Sequence, residues 1–243
     1  MALKMHPGIR ICNLSRTPPK KFSEEKGLRH IACDFADCAA LEQAARQVDA
    51  WLGGTPAGRV LLINNSGFGA YGLFPEPNLS NQLKMIDVNV RAVVSLTGLL
   101  LPTLLKRGGA VVNIASTAAF QPTAYAATYG ATKSFVLNWT VALNEELRGT
   151  GVQALAICPG PTETNFFQAA GMGPQAVSPA LMMTADEVIA RGMLALARGR
   201  SLVVTGWKNK VLAIAASLLP KPLVARIAAK VLARYRLGRM LRQ

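Results

Sequence analysis

A chain of 243 residues, 51% hydrophobic and with a formal net charge of +14, is long enough to enclose one full α/β core. Four cysteines without a C-x-x-C pair, beside only two histidines, speak against a disulfide framework or a metal centre. No secretion signal and no spanning segment are expected, so the location reads as cytoplasmic.

In chain order, residues 9–14 and 30–33 read as strands, 39–51 as a helix and 59–63 as a fully buried strand. Residues 80–106 form one long helical pattern, followed by a strand at 109–114, a helix at 125–147 and a strand at 152–157. An irregular stretch at 159–183, containing Phe166, Phe167, Met172, Met182 and Met183, has the length of a functional lid. Thr184 and Glu187 have capping-box spacing ahead of a helix to about residue 198, and a strand at 201–205 follows. Continuous apolar strands separated by helices predict an α/β fold with a parallel sheet covered on both faces.

The C-terminal quarter is different in charge. From Val188 to Gln243 there are 12 Lys and Arg and no acidic residue. Leu223, Val224, Ile227, Ala228, Val231, Leu232 and Tyr235 recur at helical spacing, with Arg226, Lys230 and Arg234 on a neighbouring face. Either these helices pack on the sheet or a second subunit and close a pocket, or they lie on an anionic membrane. Nucleic acid is not expected, since aromatic interleaving is sparse.

Chemistry gathers around Tyr129 and Lys133, which share a helix face at i and i+4. A lysine ~4 Å from a phenol, at an effective dielectric near 20, would favour the phenolate by about 4 kcal/mol, or roughly 3 pKa units. That predicts an acid/base usable near neutrality. Alone the spacing is weak. Asn64-Asn65-Ser66-Gly67, Ser116 and Pro159-Gly160-Pro161-Thr162-Glu163-Thr164 each follow a strand, at carboxyl ends where parallel sheets bind ligands. Asn89 lies within the long apolar helix. Each has a plainer reading: turns for the Asn-Gly and Pro-Gly segments, a solvated hydroxyl for Ser116, a satisfied helix polar for Asn89.

In this order and spacing, the block from Leu61 to Phe166 resembles the short-chain dehydrogenase/reductase family, with matching element order from about Ile9 through Thr205. The resemblance implies a Rossmann-like, doubly wound, three-layer α/β/α domain over residues 1–206, extended by basic amphipathic helices at 207–243. It implies Asn89, Ser116, Tyr129 and Lys133 as catalytic residues. Tyr129 would exchange the proton, Ser116 would donate to the substrate oxygen, Lys133 would bind a ribose and depress the Tyr129 pKa, and Asn89 would hold a relay water. Asp34, Asn64, Gly67, Tyr129, Lys133, Pro159, Gly160 and Thr164 would contact a nicotinamide cofactor. Ser15 and Arg16, where the family's NAD-binding members carry an acid, favour NADP(H).

The implied activity is interconversion of a carbonyl and an alcohol on an apolar or lipid-like substrate, by a homodimer or homotetramer. The alternative is a non-catalytic relative working at a membrane surface or as an interaction protein. The family's opening strand and T-G-x-x-x-G-x-G turn are missing; residues 1–8 resemble the tail of the helix that follows that turn. Five or six buried strand residues would contribute about 10 kcal/mol, comparable with a domain's net stability of ~5–15 kcal/mol. An internal methionine is therefore expected at position 1.

Overall fold

Strands that are apolar along their whole length must be covered on both faces, and helical crossovers between them enforce parallel pairing. The computed structural model follows this rule at every strand pair. It describes residues 8–19, 28–74, 76–172 and 182–240, with side chains through residue 233. The elements are β1 (Ile11–Ser15), β2 (Leu28–Ala32), α1 (Cys38–Gly53), β3 (Val60–Asn64), α2 (Leu79–Ile86), a π turn (Asp87–Arg91) and α3 (Ala92–Arg107). They continue with β4 (Gly109–Ile114), a 3-10 turn (Thr117–Phe120), α4 (Ala127–Glu146), β5 (Val152–Cys158), α5 (Phe166–Ala169), α6 (Ala185–Ala197), β6 (Leu202–Val204), α7 (Trp207–Leu218) and α8 (Lys221–Met240). The reading of residues 1–8 as a helix tail lies, but for Gly8, outside the described residues.

The strands fall into two groups where one sheet was expected. β1 and β2 pair with each other, while β3, β4, β5 and β6 pair in that order. No described strand bridges β1 and β3. Leu61 and Ile63 on β3 are accordingly 42% and 46% exposed, an unusual state for strand residues of this type. The two groups are joined by packing instead. Ile31, Leu41, Val48, Leu96, Leu104, Val111 and Leu143 belong to one continuous core that spans both.

From Leu79 to Arg107 the helical run is continuous over 29 residues, and its best 18-residue window has a mean hydropathy of 1.6. This corrects the expectation that no segment could cross a membrane: by length and composition alone, this one could. Its tertiary setting is that of a core helix. Met85, Ala92, Leu96, Leu100 and Leu104 are buried, and α3 packs against α1, β3 and β4. The expected capping box forms at Thr184 and Glu187.

Gly109 starts β4 with φ at 143°, and a Cβ there would stand 1.9 Å from the Val60 carbonyl oxygen. Only glycine lets β4 approach β3 at this register. Gly109→Ala should therefore lower stability by roughly 2–4 kcal/mol in urea unfolding, through backbone strain and the displaced edge strand.

Candidate active site

Parallel strands bring their carboxyl ends to one edge of each sheet, so residues far apart in sequence meet there. Ser116 follows β4, Pro159 and Gly160 follow β5, and Asn64 ends β3. Helix α4 returns beneath this edge carrying Tyr129 and Lys133.

The Lys133 ammonium is buried and donates to the Ile114 carbonyl at 2.7 Å, which ties α4 to the end of β4. It stands 5.9 Å from the centroid of the Tyr129 ring. Tyr129 and Ser116 share a hydrogen bond through their hydroxyls, and the Ser116 hydroxyl also caps the 3-10 turn by accepting from Ala118 N–H at 3.1 Å. Three of the four expected catalytic residues thus converge.

Their electrostatics depart from expectation. Burial pushes the Tyr129 phenol up to about 12, against a smaller opposing effect of the Ser116 hydrogen bond. Lys133 was expected to depress it by about 3 units. Instead Lys133 is itself pulled down to about 8, because burial penalises its ammonium. Tyr129 is therefore a neutral phenol, a proton donor. Cys158, pushed up to about 12 by burial, is a neutral thiol alongside.

Asn89 sits in the π turn, 1% exposed. Its amide donates to the Phe68 carbonyl at 2.9 Å and to Thr132 Oγ1 at 3.1 Å, while its oxygen accepts from Phe68 N–H at 3.1 Å. Thr132 in turn donates to the Tyr129 carbonyl at 2.7 Å. Both amide hydrogens go to protein partners, so a relay water could use only a lone pair on Oδ1. The side chain clasps the loop after β3 to the turn of α4 that carries Tyr129. A π turn, common at functional sites, interrupts the single α-helix expected here.

The cofactor candidates divide. Asn64 points into the sheet: its amide donates to Thr97 Oγ1 at 3.1 Å and Asn113 Oδ1 at 2.8 Å, and Asn113 donates onward to Thr140 at 2.8 Å. Both hydrogens of its side-chain amide are thus committed to the sheet. Gly67 lies where a Cβ would come within 3.1 Å of Asn89 Oδ1 and 3.4 Å of Lys133 Nζ. Gly160 is packed under Asn209 of α7, 2.2 Å from any added Cβ. Pro159 accepts from Thr117 N–H, and Thr164 accepts from Phe166 N–H at the start of α5. Asp34 is ion-paired with Lys84 at 3.7 Å. Ser15 donates to the Thr17 carbonyl, and Arg16 is exposed at the end of β1.

Several residues were not anticipated. Asn113 completes the buried polar chain; an asparagine ending an otherwise apolar strand, in register with Asn64, is the signal for it. Phe166 packs on Tyr129 with ring centroids 5.1 Å apart, and Gly69 admits it, since a Cβ there would be 2.8 Å from Phe166 Cζ. The loop after β3 and the segment before α4 border a cavity of about 330 Å³ lined by Ala70, Leu73, Phe74, Met85, Tyr125 and Thr128, among others; Ser116, Tyr129 and Lys133 are not on its lining. Tyr125 holds φ at 62°, a left-handed conformation rare for a non-glycine residue.

Residues 10–174 match the family described as short chain dehydrogenase. Serine 3-dehydrogenase of Agrobacterium fabrum is 35% identical over 172 residues, covering 65% of this chain and 64% of that protein. Sulfoacetaldehyde reductase 2 of Chromohalobacter salexigens is 38% identical over 126 residues, covering 49% of each. The chain thus spans less than two thirds of the length of these curated relatives. Among solved structures, a short-chain dehydrogenase from Sphingobium yanoikuyae in complex with NADPH is 26% identical, with a TM-score of 0.66, over 78% of this chain and 73% of that one.

The depressed Lys133 has a measurable consequence. Between about pH 8 and 10.5 the folded chain holds one proton fewer here than the unfolded chain, so stability rises with pH across that window. Urea unfolding at pH 7.5 and 9.5 should show the wild type gaining relative to Lys133→Met as pH rises; a parallel response would place the Lys133 pKa elsewhere.

Proposed function

The chain belongs to the short-chain dehydrogenase family, and from that premise we propose that it interconverts a carbonyl and an alcohol with NADP(H). The observation that carries this reading is the meeting of Ser116, Tyr129 and Lys133 at the carboxyl edge of β4. In the reducing direction, Tyr129 gives its proton to the carbonyl oxygen as the carbon is reduced. A phenol held at about 12 keeps that proton at any physiological pH, yet gives it up to a forming alkoxide, which is the stronger base. Ser116 donates a hydrogen bond to the same oxygen as charge develops there. Asn89 is a positioning residue, holding the Phe68 loop and the Tyr129 turn in register. Cofactor, when bound, supplies the hydride.

The residues present fit two parts of that cofactor. Lys133, so close under Gly67 that a Cβ there would stand 3.4 Å from its ammonium, is placed to meet a ribose, and exposed Arg16 beside Ser15 offers a guanidinium and a hydroxyl to a 2′-phosphate. The pyrophosphate is a different matter. Gly67, Gly69 and Gly72 have G-x-G-x-x-G spacing after β3, but they lead into a loop and pack around Asn89, Phe166 and Glu76, so they do not form a phosphate-binding helix start.

The apolar cavity lined by Leu73, Phe74, Met85 and Tyr125, which borders α4 at Thr128, supports an apolar carbonyl substrate; the small polar molecules in the relatives' names find no cation on its lining. Exposed Leu99, Leu105, Phe135 and Val141 on α3 and α4 support pairing of two copies through these helices.

Tyr129→Phe should abolish NADPH-dependent reduction of an apolar ketone while leaving NADPH binding largely intact; near-wild-type turnover would remove Tyr129 from its role. Arg16→Ala should raise the Kd for NADPH far more than that for NADH, measured by fluorescence titration. Equal losses would refute the 2′-phosphate assignment.

A further inference from the structure

Helix α7 buries one narrow face and exposes its opposite. Asn209, Ala213 and Ala216 are its buried residues. Small alanines bring the helix close to β6 and the 3-10 turn, and Asn209 donates to the Thr205 carbonyl at 3.1 Å while packing on Gly160. At 3.6 residues per turn, Trp207, Val211, Ile214 and Leu218 fall together on the far side, within about 60° of one another. They are 72%, 57%, 50% and 80% exposed. Lys208 and Lys210 project from the two flanks of this stripe and are exposed. Helix α8 repeats the pattern. It docks by buried Val224 and Ala228 and by the Tyr71 hydroxyl, which donates to the Leu232 carbonyl at 2.6 Å. Leu223, Ile227 and Val231 remain 44%, 47% and 47% exposed, with exposed Arg226 and Lys230 on the adjoining face.

Packing onto the domain therefore accounts for one face of each helix and leaves the larger apolar side chains outside. Single exposed apolar residues are ordinary; two helices with outward apolar stripes edged by lysine and arginine mark an interaction surface. We propose that α7 and α8 form a docking surface for an anionic lipid bilayer, with the apolar stripes entering the acyl boundary and Lys208, Lys210, Arg226 and Lys230 meeting acidic headgroups. Charge complementarity selects this occupant. A second copy docked by a two-fold axis would bring the same cations face to face, and the chain has no acidic residue after Glu187 to pair with them. Lysine flanking on both sides of a tryptophan-headed stripe suits headgroups lying on both sides of an embedded helix.

The proposal is independent of catalysis, and its test reads binding without turnover. The full chain should co-sediment with phosphatidylcholine vesicles containing phosphatidylglycerol at low salt, and not with phosphatidylcholine alone. High salt should release it. Tryptophan emission should shift to the blue on binding, and Trp207→Phe should lose that shift. Lys208→Gln and Lys210→Gln should each weaken partitioning about fivefold, and Trp207→Asp with Leu218→Asp should abolish it. All of these side chains face solvent, so thermal melts should match the wild type. Failure to bind acidic vesicles at low salt, or binding indifferent to these substitutions, overturns the proposal. So does a concentration-dependent dimer that Trp207→Asp with Leu218→Asp dissolves while vesicles are ignored.

Discussion

One buried amide holds the site together. Asn89 is almost fully enclosed, and an unpaired amide there would cost roughly 1–3 kcal/mol per missing partner. It is satisfied only when the Phe68 backbone and Thr132 are both in place. That requirement fixes the loop after β3 against α4, and Thr132 passes the constraint on to the turn bearing Tyr129. The π turn is the backbone's accommodation to it. A parallel constraint runs through the sheet, where Asn64, Asn113, Thr97 and Thr140 form a buried polar chain that exists only at one register of β3 on β4.

The same burial that orders the site sets its chemistry. Tyr129 and Lys133 are both moved toward their neutral forms, since the apolar surroundings disfavour either charge. A neutral phenol beside a weakly held ammonium is an arrangement ready to give up a proton. Phe166 and Gly69 carry this further by laying an aromatic ring against Tyr129. An apolar cavity borders α4 at Thr128, the residue before Tyr129. Helices α7 and α8 are anchored to this region through Asn209 and Tyr71. The exposed stripes therefore lie on helices tied to the loops after β5 and β3.

The sequence by itself determined the element order and the parallel pairing, and it singled out Tyr129 and Lys133 as a pair. Strands such as Ala154 to Ile157 are apolar throughout and so must be buried on both faces, and Tyr129 and Lys133 share a helix face by spacing alone. It also marked α8 as amphipathic, since 3.6-residue periodicity survives in the composition. Only the tertiary structure decided which groups touch. The Lys133 ammonium turns to the Ile114 carbonyl, Asn64 turns into the sheet, and the 29-residue apolar helix from Leu79 to Arg107 becomes a core element. These outcomes depend on neighbours 19, 49 and more residues away. Local pattern carries the tendency of a side chain to be buried, but hydrogen-bond partners and desolvation are set by what the fold brings alongside it.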